Sequence, residues 1–255
     1  MLKSIITSIV LLSGLAAFSQ ASENRQVSDF SKLKASASVQ VFYTVSNTKS
    51  IKVETEDNDK LKFIKTEVEN GTLNIFVDSR SGKNGRRNWS GVRIKTAKIY
   101  VFGPALSSIK SSSSSKIKIE NANTANQVDV DVSSSGSVSG KFICSEISIK
   151  ASSSADMKAQ VDAKSVEVET SSSSDVDLNG KTGRLKVEAS SSSSCDAGKL
   201  IAEDVTVNAS SSADVDVYAS KSLNAKATSS SDVNYYGHPA KVSADKNSSG
   251  TVNKK

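Results

Sequence analysis

A serine run followed by an alternating apolar segment recurs down the C-terminal part of this chain. A repeat of that period limits the fold more than any local propensity does. It reads SSSSSKIKIE from Ser111, SSSGSVSG from Ser133, SSSADMKA from Ser152 and SSSSDVDL from Ser171. It returns as SSSSSCDA from Ser190, SSSADVDVY from Ser210, SSSDVNYY from Ser229 and a worn SSGTVN from Ser248. The phrases align on the residue before the apolar position: Lys116, Ser137, Asp156, Asp175, Asp196, Asp214, Asp232 and Thr251, in steps of 21, 19, 19, 21, 18, 18 and 19. The next column is apolar throughout: Ile117, Val138, Met157, Val176, Ala197, Val215, Val233 and Val252. Seven positions before the first column stand Ile109, Val130, Ile149, Val168, Val207, Ala225 and Ala244. The fifth rung is out of step because Val187 lies nine residues before Asp196, which predicts two extra residues bulged into the corner Ser190–Ser194.

Within a rung the apolar residues alternate, as in Val166, Val168 and Thr170 or Val215 and Val217. Period two means strands with one buried face. A unit of about twenty residues cannot bury that face alone and must stack on its neighbours. The expected fold is therefore all-β: a parallel β-helix, or β-solenoid, of about eight rungs, right-handed because parallel crossovers prefer that hand. Serine suits the corners, being small, tolerant of tight turns and able to bond free backbone groups. A flexible serine linker is the competing reading, but linker serine is not interleaved with Val-x-Val at a fixed offset.

Residues 1–21 read as a secretory signal peptide. Lys3 gives the positive start, Ile5–Ala17 the apolar centre, and Ala17-Phe18-Ser19 or Ser19-Gln20-Ala21 the cleavage site. The expected location is outside the cytoplasm: periplasm, outer-membrane surface or extracellular, with no membrane span in the mature chain. Residues 22–104 carry no serine phrase but alternate well, through Val39–Tyr43, Ile51–Val53, Phe63–Val68 and Leu73–Val77. Asn70-Gly71 between the last two is a hairpin signal, and Ile94–Phe102 stops at Gly103-Pro104. This N-terminal β-rich region is expected to start the solenoid and cap its edge, with residues 105–255 forming the repeats.

The formal charge of +6, from 33 Lys+Arg against 27 Asp+Glu, is well mixed, and aromatics make up only 5%. Nucleic-acid binding wants clustered cations with aromatic platforms, so no nucleic-acid partner is expected. Cys144 and Cys195 fall at different places in the repeat, Cys144 between strands and Cys195 in a serine corner, so two separate thiols are expected rather than a disulfide. With His238 the only histidine, no metal or other cofactor is assigned.

The candidate binding face is the outward column Asp156, Asp175, Asp196, Asp214 and Asp232, with Asp177 and Asp216 two residues on. Stacked carboxylates repel unless lysines, solvent or a cation compensate. Calcium accepts such oxygen sets, but the glycine-rich nonapeptide of a calcium β-roll is missing. Trp89, the only tryptophan, in Arg86-Arg87-Asn88-Trp89, is the other candidate contact. A carbohydrate-active β-helix enzyme is the alternative reading, yet a glycosidase needs paired carboxylates across a cleft. The repeats hold one arginine, Arg184, and phosphate loops and nucleophile elbows are missing.

Several segments carry a family resemblance: Val27–Val45 with Phe30-x-x-Leu33, the stretch Thr66–Ile75, Lys98–Val101 running into Gly103-Pro104-Ala105-Leu106, and Asp232–Pro239. They resemble, in order, the exported bacterial β-helical proteins described as "Putative auto-transporter adhesin, head GIN domain". That family's corners usually carry Ser-Gly-x-Gly, and most of those glycines are serines here. The resemblance implies an adhesin-like protein, and the regular polar columns of a solenoid point separately to a cell-surface glycan or envelope protein as partner. The resemblance supplies no catalytic residues.

Overall fold

A computed structural model describes residues 21–78, 94–95 and 97–255. The signal segment before Ala21 and the loop with Arg86, Arg87 and Trp89 lie outside the described residues. The first part of the chain forms β1 (Ala21–Arg25), β2 (Lys32–Ala35), β3 (Gln40–Val45), β4 (Ser50–Thr55), a one-turn α1 (Asn58–Leu61), β5 (Ile64–Glu69), β6 (Thr72–Val77) and β7 (Ala97–Gly103). The repeats follow as β8 (Ser108–Ser111), β9 (Lys116–Thr124), β10 (Gln127–Val132), β11 (Ser137–Ala151), β12 (Asp156–Thr170), β13 (Asp175–Ala189), β14 (Ser194–Ala209), β15 (Asp214–Ala227), β16 (Asp232–Tyr236), β17 (Lys241–Lys246) and β18 (Thr251–Lys254).

The strands wind into a β-solenoid of about eight turns. Ladder A runs β5, β6, β2, β8 and β10, then the second halves of β11 to β15, and ends on β17. Ladder B runs β1, β4, β7, β3 and β9, then the first halves of β11 to β15, then β16 and β18. Pairing is parallel except where β1, β4 and β5 lay antiparallel strands over the N-terminal end. The hairpin of β5 and β6 turns on Asn70 and Gly71, both at positive φ, as Asn-Gly predicts.

The serine corners have one geometry. Two successive residues take positive φ at 37–38, 113–114, 134–135, 153–154, 172–173, 191–192, 211–212, 229–230 and 248–249. Paired positive φ is the signature of a type I′ turn. The second of the pair donates its N–H to the first of the next rung, as in Ser154 to Ser172 at 3.0 Å and Ser173 to Ser191 at 3.1 Å. The corner is thus a hydrogen-bond ladder in its own right. The serine that follows turns inward and donates its hydroxyl to the preceding rung's carbonyl: Ser115 to Ala35 (2.9 Å), Ser174 to Ala151 (3.0 Å), Ser193 to Thr170 (3.0 Å) and Ser231 to Ala209 (2.9 Å). Each of these carbonyls also accepts a backbone N–H, from Ser112, Ser171, Ser190 and Thr228 in turn, so the bond gives the buried hydroxyl its partner and adds a second tie between rungs.

The core is the pair of apolar columns. Ile109, Val130, Ile149, Val168, Val187, Val207 and Ala225 are buried along ladder A. At the N-terminal end Phe30 meets Tyr43 edge-on at 6.4 Å, and the Tyr43 hydroxyl donates to the Pro104 carbonyl at 2.5 Å. A Cβ on Gly103 would stand 2.7 Å from both Phe30 and Tyr43. The Phe30 and Gly103-Pro104 signatures therefore serve packing.

The fifth rung corrects the sequence alignment. Its corner holds the usual two positive-φ residues, Ser191 and Ser192, and no bulge. Ser194 pairs with Asp175 and Asp214, so Ser194 and not Asp196 stands in the first Asp column. Cys195, not Ala197, fills the apolar column between Val176 and Val215. The extra residues sit further on, where the register shifts across Ala197–Ile201. The excursion leaves Leu200 buried and Ile201 exposed. Cys144 likewise lies within β11, opposite Ala163, rather than between strands.

Candidate binding face

Strand parity puts two columns of side chains on the outside of ladder B. From the N-terminal end, one reads Gln40, Lys116, Ser137, Asp156, Asp175, Ser194, Asp214, Asp232 and Thr251. The other reads Phe42, Lys118, Ser139, Lys158, Asp177, Asp196, Asp216, Asn234 and Asn253. Asp196 therefore joins Asp177 and Asp216 in the second column. Rungs stand about 4.8 Å apart, so each neighbouring carboxylate pair repels by about 1 kcal/mol even in water.

The other faces neutralise themselves across rungs. Lys110 meets Asp131 at 3.3 Å, Lys150 meets Glu169 at 2.8 Å, and Lys186 meets Glu167 at 2.8 Å, with Glu188 of its own strand at 2.9 Å. At the bends Lys181 meets Asp162 (3.2 Å) and Lys221 meets Glu203 (2.7 Å). Hydrogen bonding to Glu167 and then Glu188 holds the Lys186 ammonium well above its ordinary range. Among the described residues, none of Asp156, Asp175, Asp177, Asp196, Asp214, Asp216 and Asp232 enters an ion pair. Asp196 accepts the Gly198 N–H at 3.1 Å, and Asp232 accepts the Thr251 hydroxyl. One carboxylate oxygen each of Asp156 and Asp216 is buried with no hydrogen-bond partner among the described residues. A shallow open groove runs between Asp196, Asp214, Asp216, Asp232 and Asn234. Among the described residues no cluster of His, Cys, Asp and Glu is arranged to hold a metal ion.

The sequence reading missed the aromatic part of this face. Phe42 and Tyr100 stack at 5.2 Å with ring planes 17° apart. Phe102, next outward on β7, is 41% exposed. Lys52 and Glu54 pair at 2.7 Å beside Tyr100, whose hydroxyl is held above its usual range by burial first and then by Glu54. A pair of tyrosines on neighbouring rungs, Tyr218 and the 37%-exposed Tyr236, stands beside the Asp columns at the far end. Alternation within each strand carried the signal, but only the pairing of β3 with β7 brings Phe42 against Tyr100.

Both cysteines are free thiols. Burial, then Asp196, Asp216 and Asp177, push Cys195 up to about 12 from its ordinary value of 9.0. Burial and Asp162 push Cys144 up to about 11. The fold keeps a proton that the unfolded chain releases, so this stability is complete below pH 9 and is lost as pH rises toward 12. Cys195→Val removes the effect at that site. The wild type should lose stability relative to Cys195→Val across that window in denaturant titrations.

A family model described as "Putative auto-transporter adhesin, head GIN domain" matches residues 29–239. Among curated proteins none matches the chain. Solved structures share the fold, among them three bacterial proteins. A Parabacteroides distasonis protein described as "Putative lipid binding protein" is 22% identical, with TM-score 0.84 over 92% of this chain and 96% of that one. A "putative adhesin" from Parabacteroides merdae is 14% identical, with TM-score 0.83 over 92% and 96%. A second "putative adhesin" from P. distasonis is 17% identical, with TM-score 0.83 over 92% and 97%. At such identity the likeness is one of fold. Among the described residues no helix is long and apolar enough to cross a membrane.

Proposed function

The chain belongs to the family described as "Putative auto-transporter adhesin, head GIN domain", and from that premise we propose that it is an exported, non-enzymatic β-solenoid that holds an envelope partner on the outside of ladder B. The partner is a cell-surface glycan or an envelope protein. One observation carries the reading: charges on the other faces pair across rungs, while the Asp columns of ladder B are left unpaired beside exposed aromatic rings. Uncompensated like charge costs stability, and a binding surface is the ordinary reason to keep it. Solenoids bind along such extended faces. The carboxylates line a flat face and do not flank a cleft, so the geometry favours binding over glycoside hydrolysis.

The test is retention on cell envelopes. D177N, D196N, D214N and D216N combined should abolish retention, while E169Q with E188Q on ladder A should leave it intact. Equal retention of both variants would refute the proposal.

Export is part of the same reading, and β1 bears on its cleavage site. Ala21 is buried and pairs with Thr55. A cut after Ser19 leaves β1 whole, whereas a cut after Ala21 removes its first residue. The mature protein should begin at Gln20 by N-terminal sequencing.

A further inference from the structure

The outer face of ladder B is oppositely charged in its two halves. Lys98, Lys116 and Lys118, the last bridged to Glu120 at 2.9 Å, stand toward the N-terminal end, and Asp156, Asp175, Asp177, Asp196, Asp214, Asp216 and Asp232, with Lys158 among them, toward the other. Among the described residues, no ion pair reaches Lys98, Lys116 or Lys158. A flat face with separated charge of both signs fits one partner well, namely itself turned end for end. On the proposed reading of this face as the binding surface, we infer that away from the envelope it is covered by a second copy of the chain, packed ladder B on ladder B with the two solenoids antiparallel.

Placement follows from symmetry. A twofold axis along the strand direction, between β11 and β12, sets β9 opposite β13, β3 opposite β14 and β7 opposite β15. Columns are preserved under that rotation. Lys116 then faces the second copy's Asp175, Lys118 faces Asp177, Lys98 faces Asp214, and Phe102 faces Tyr218. Ser137 faces Asp156 at the centre. At the rim Glu54 faces Asp232, a like-charge contact softened by the Lys52 bridge to Glu54. The other isologous arrangement, with the axis along the solenoid, would set each aspartate-bearing strand on the same strand of the second copy, and like-charge contacts across an interface are strongly disfavoured. The charge pattern therefore selects the antiparallel pair. Ladder B stacks twelve strands, about 53 Å at 4.8 Å per strand, and five residues span about 16 Å, so each copy offers roughly 800 Å². That is the per-partner area of a standard stable interface, roughly 800 Å².

Sedimentation velocity on the exported chain as recovered from cells tests this. The wild type should dimerise at about 50 mM salt and weaken at least about tenfold at about 500 mM, as screened charge pairs do. K116D with K118D, and separately D175K with D177K, should each be monomeric. An equimolar mixture of the two variants should dimerise again, because each supplies the charge the other needs. That recovery also shows both variants are folded. A wild type that stays monomeric, reversed variants that dimerise as the wild type does, or a mixture that stays monomeric would each overturn the self-association. If the wild type is monomeric while D177N, D196N, D214N and D216N still abolish envelope retention, self-association falls and the binding face stands.

Discussion

Alanine at position 180 should destabilise the protein by about 3 kcal/mol or more, because it puts a side chain where backbone already stands. Gly180 sits in β13 at φ +116, a conformation that L side chains rarely adopt. An added Cβ would lie 2.1 Å from the Val161 carbonyl oxygen in the rung above. That oxygen is backbone, so no flexible chain end can give way. In a domain of this size the loss should lower Tm by about 10 °C. Gly71 is the control, since its turn leaves nothing within 4 Å of an added Cβ. Gly71→Asn should be nearly neutral because asparagine tolerates positive φ. Thermal melts of the two variants check both expectations.

The second large effect lies in the corners. Ser172 and Ser173 have φ of 55° and 59° in the middle of the stack. The left-handed region costs an L residue about 1–2 kcal/mol, and more when it is β-branched. Serine keeps that cost small with a short side chain, and Ser174 anchors the turn to Ala151 through its hydroxyl. Val at both positions 172 and 173 should cost about 3 kcal/mol or more in denaturant unfolding. Gly at both should change stability by no more than about 1 kcal/mol, since glycine relieves the strain but gains freedom in the unfolded chain. The family's glycine-bearing corners and this chain's serine corners are then two solutions to one backbone requirement. Ser174→Ala separates the hydroxyl's part, at about 1 kcal/mol for one buried bond, since the Ala151 carbonyl keeps the Ser171 N–H.

The period of the serine phrase and the parity of the valines were enough to predict a stacked solenoid, because a twenty-residue unit has no other way to cover its apolar face. The register of the fifth rung was not legible. Ser194-Cys195-Asp196-Ala197 offers two serviceable frames of the same parity, and a cysteine fills a valine site as readily as an alanine does. Only the pairing of Cys195 between Val176 and Val215 decides it. The Asp columns could be read because aspartate repeats at the rung period. The Phe42 and Tyr100 stack could not, since those residues meet through a parallel pairing across the whole intervening β4 to β6 excursion. The first corner, Ala37-Ser38, escaped notice because it lacks the serine run, although its φ values of 61° match the later ones.

Carboxylate footprinting tests the central claim most directly, by labelling exposed acids with a carbodiimide and an amine on the free protein and on protein bound to cell envelopes. The binding face predicts that Asp175, Asp177, Asp196, Asp214 and Asp232 are labelled in the dilute free monomer and protected on the envelope. Glu169 and Glu188 on ladder A should label equally in both. Protection of Glu169 and Glu188 with the aspartates still open would contradict the account.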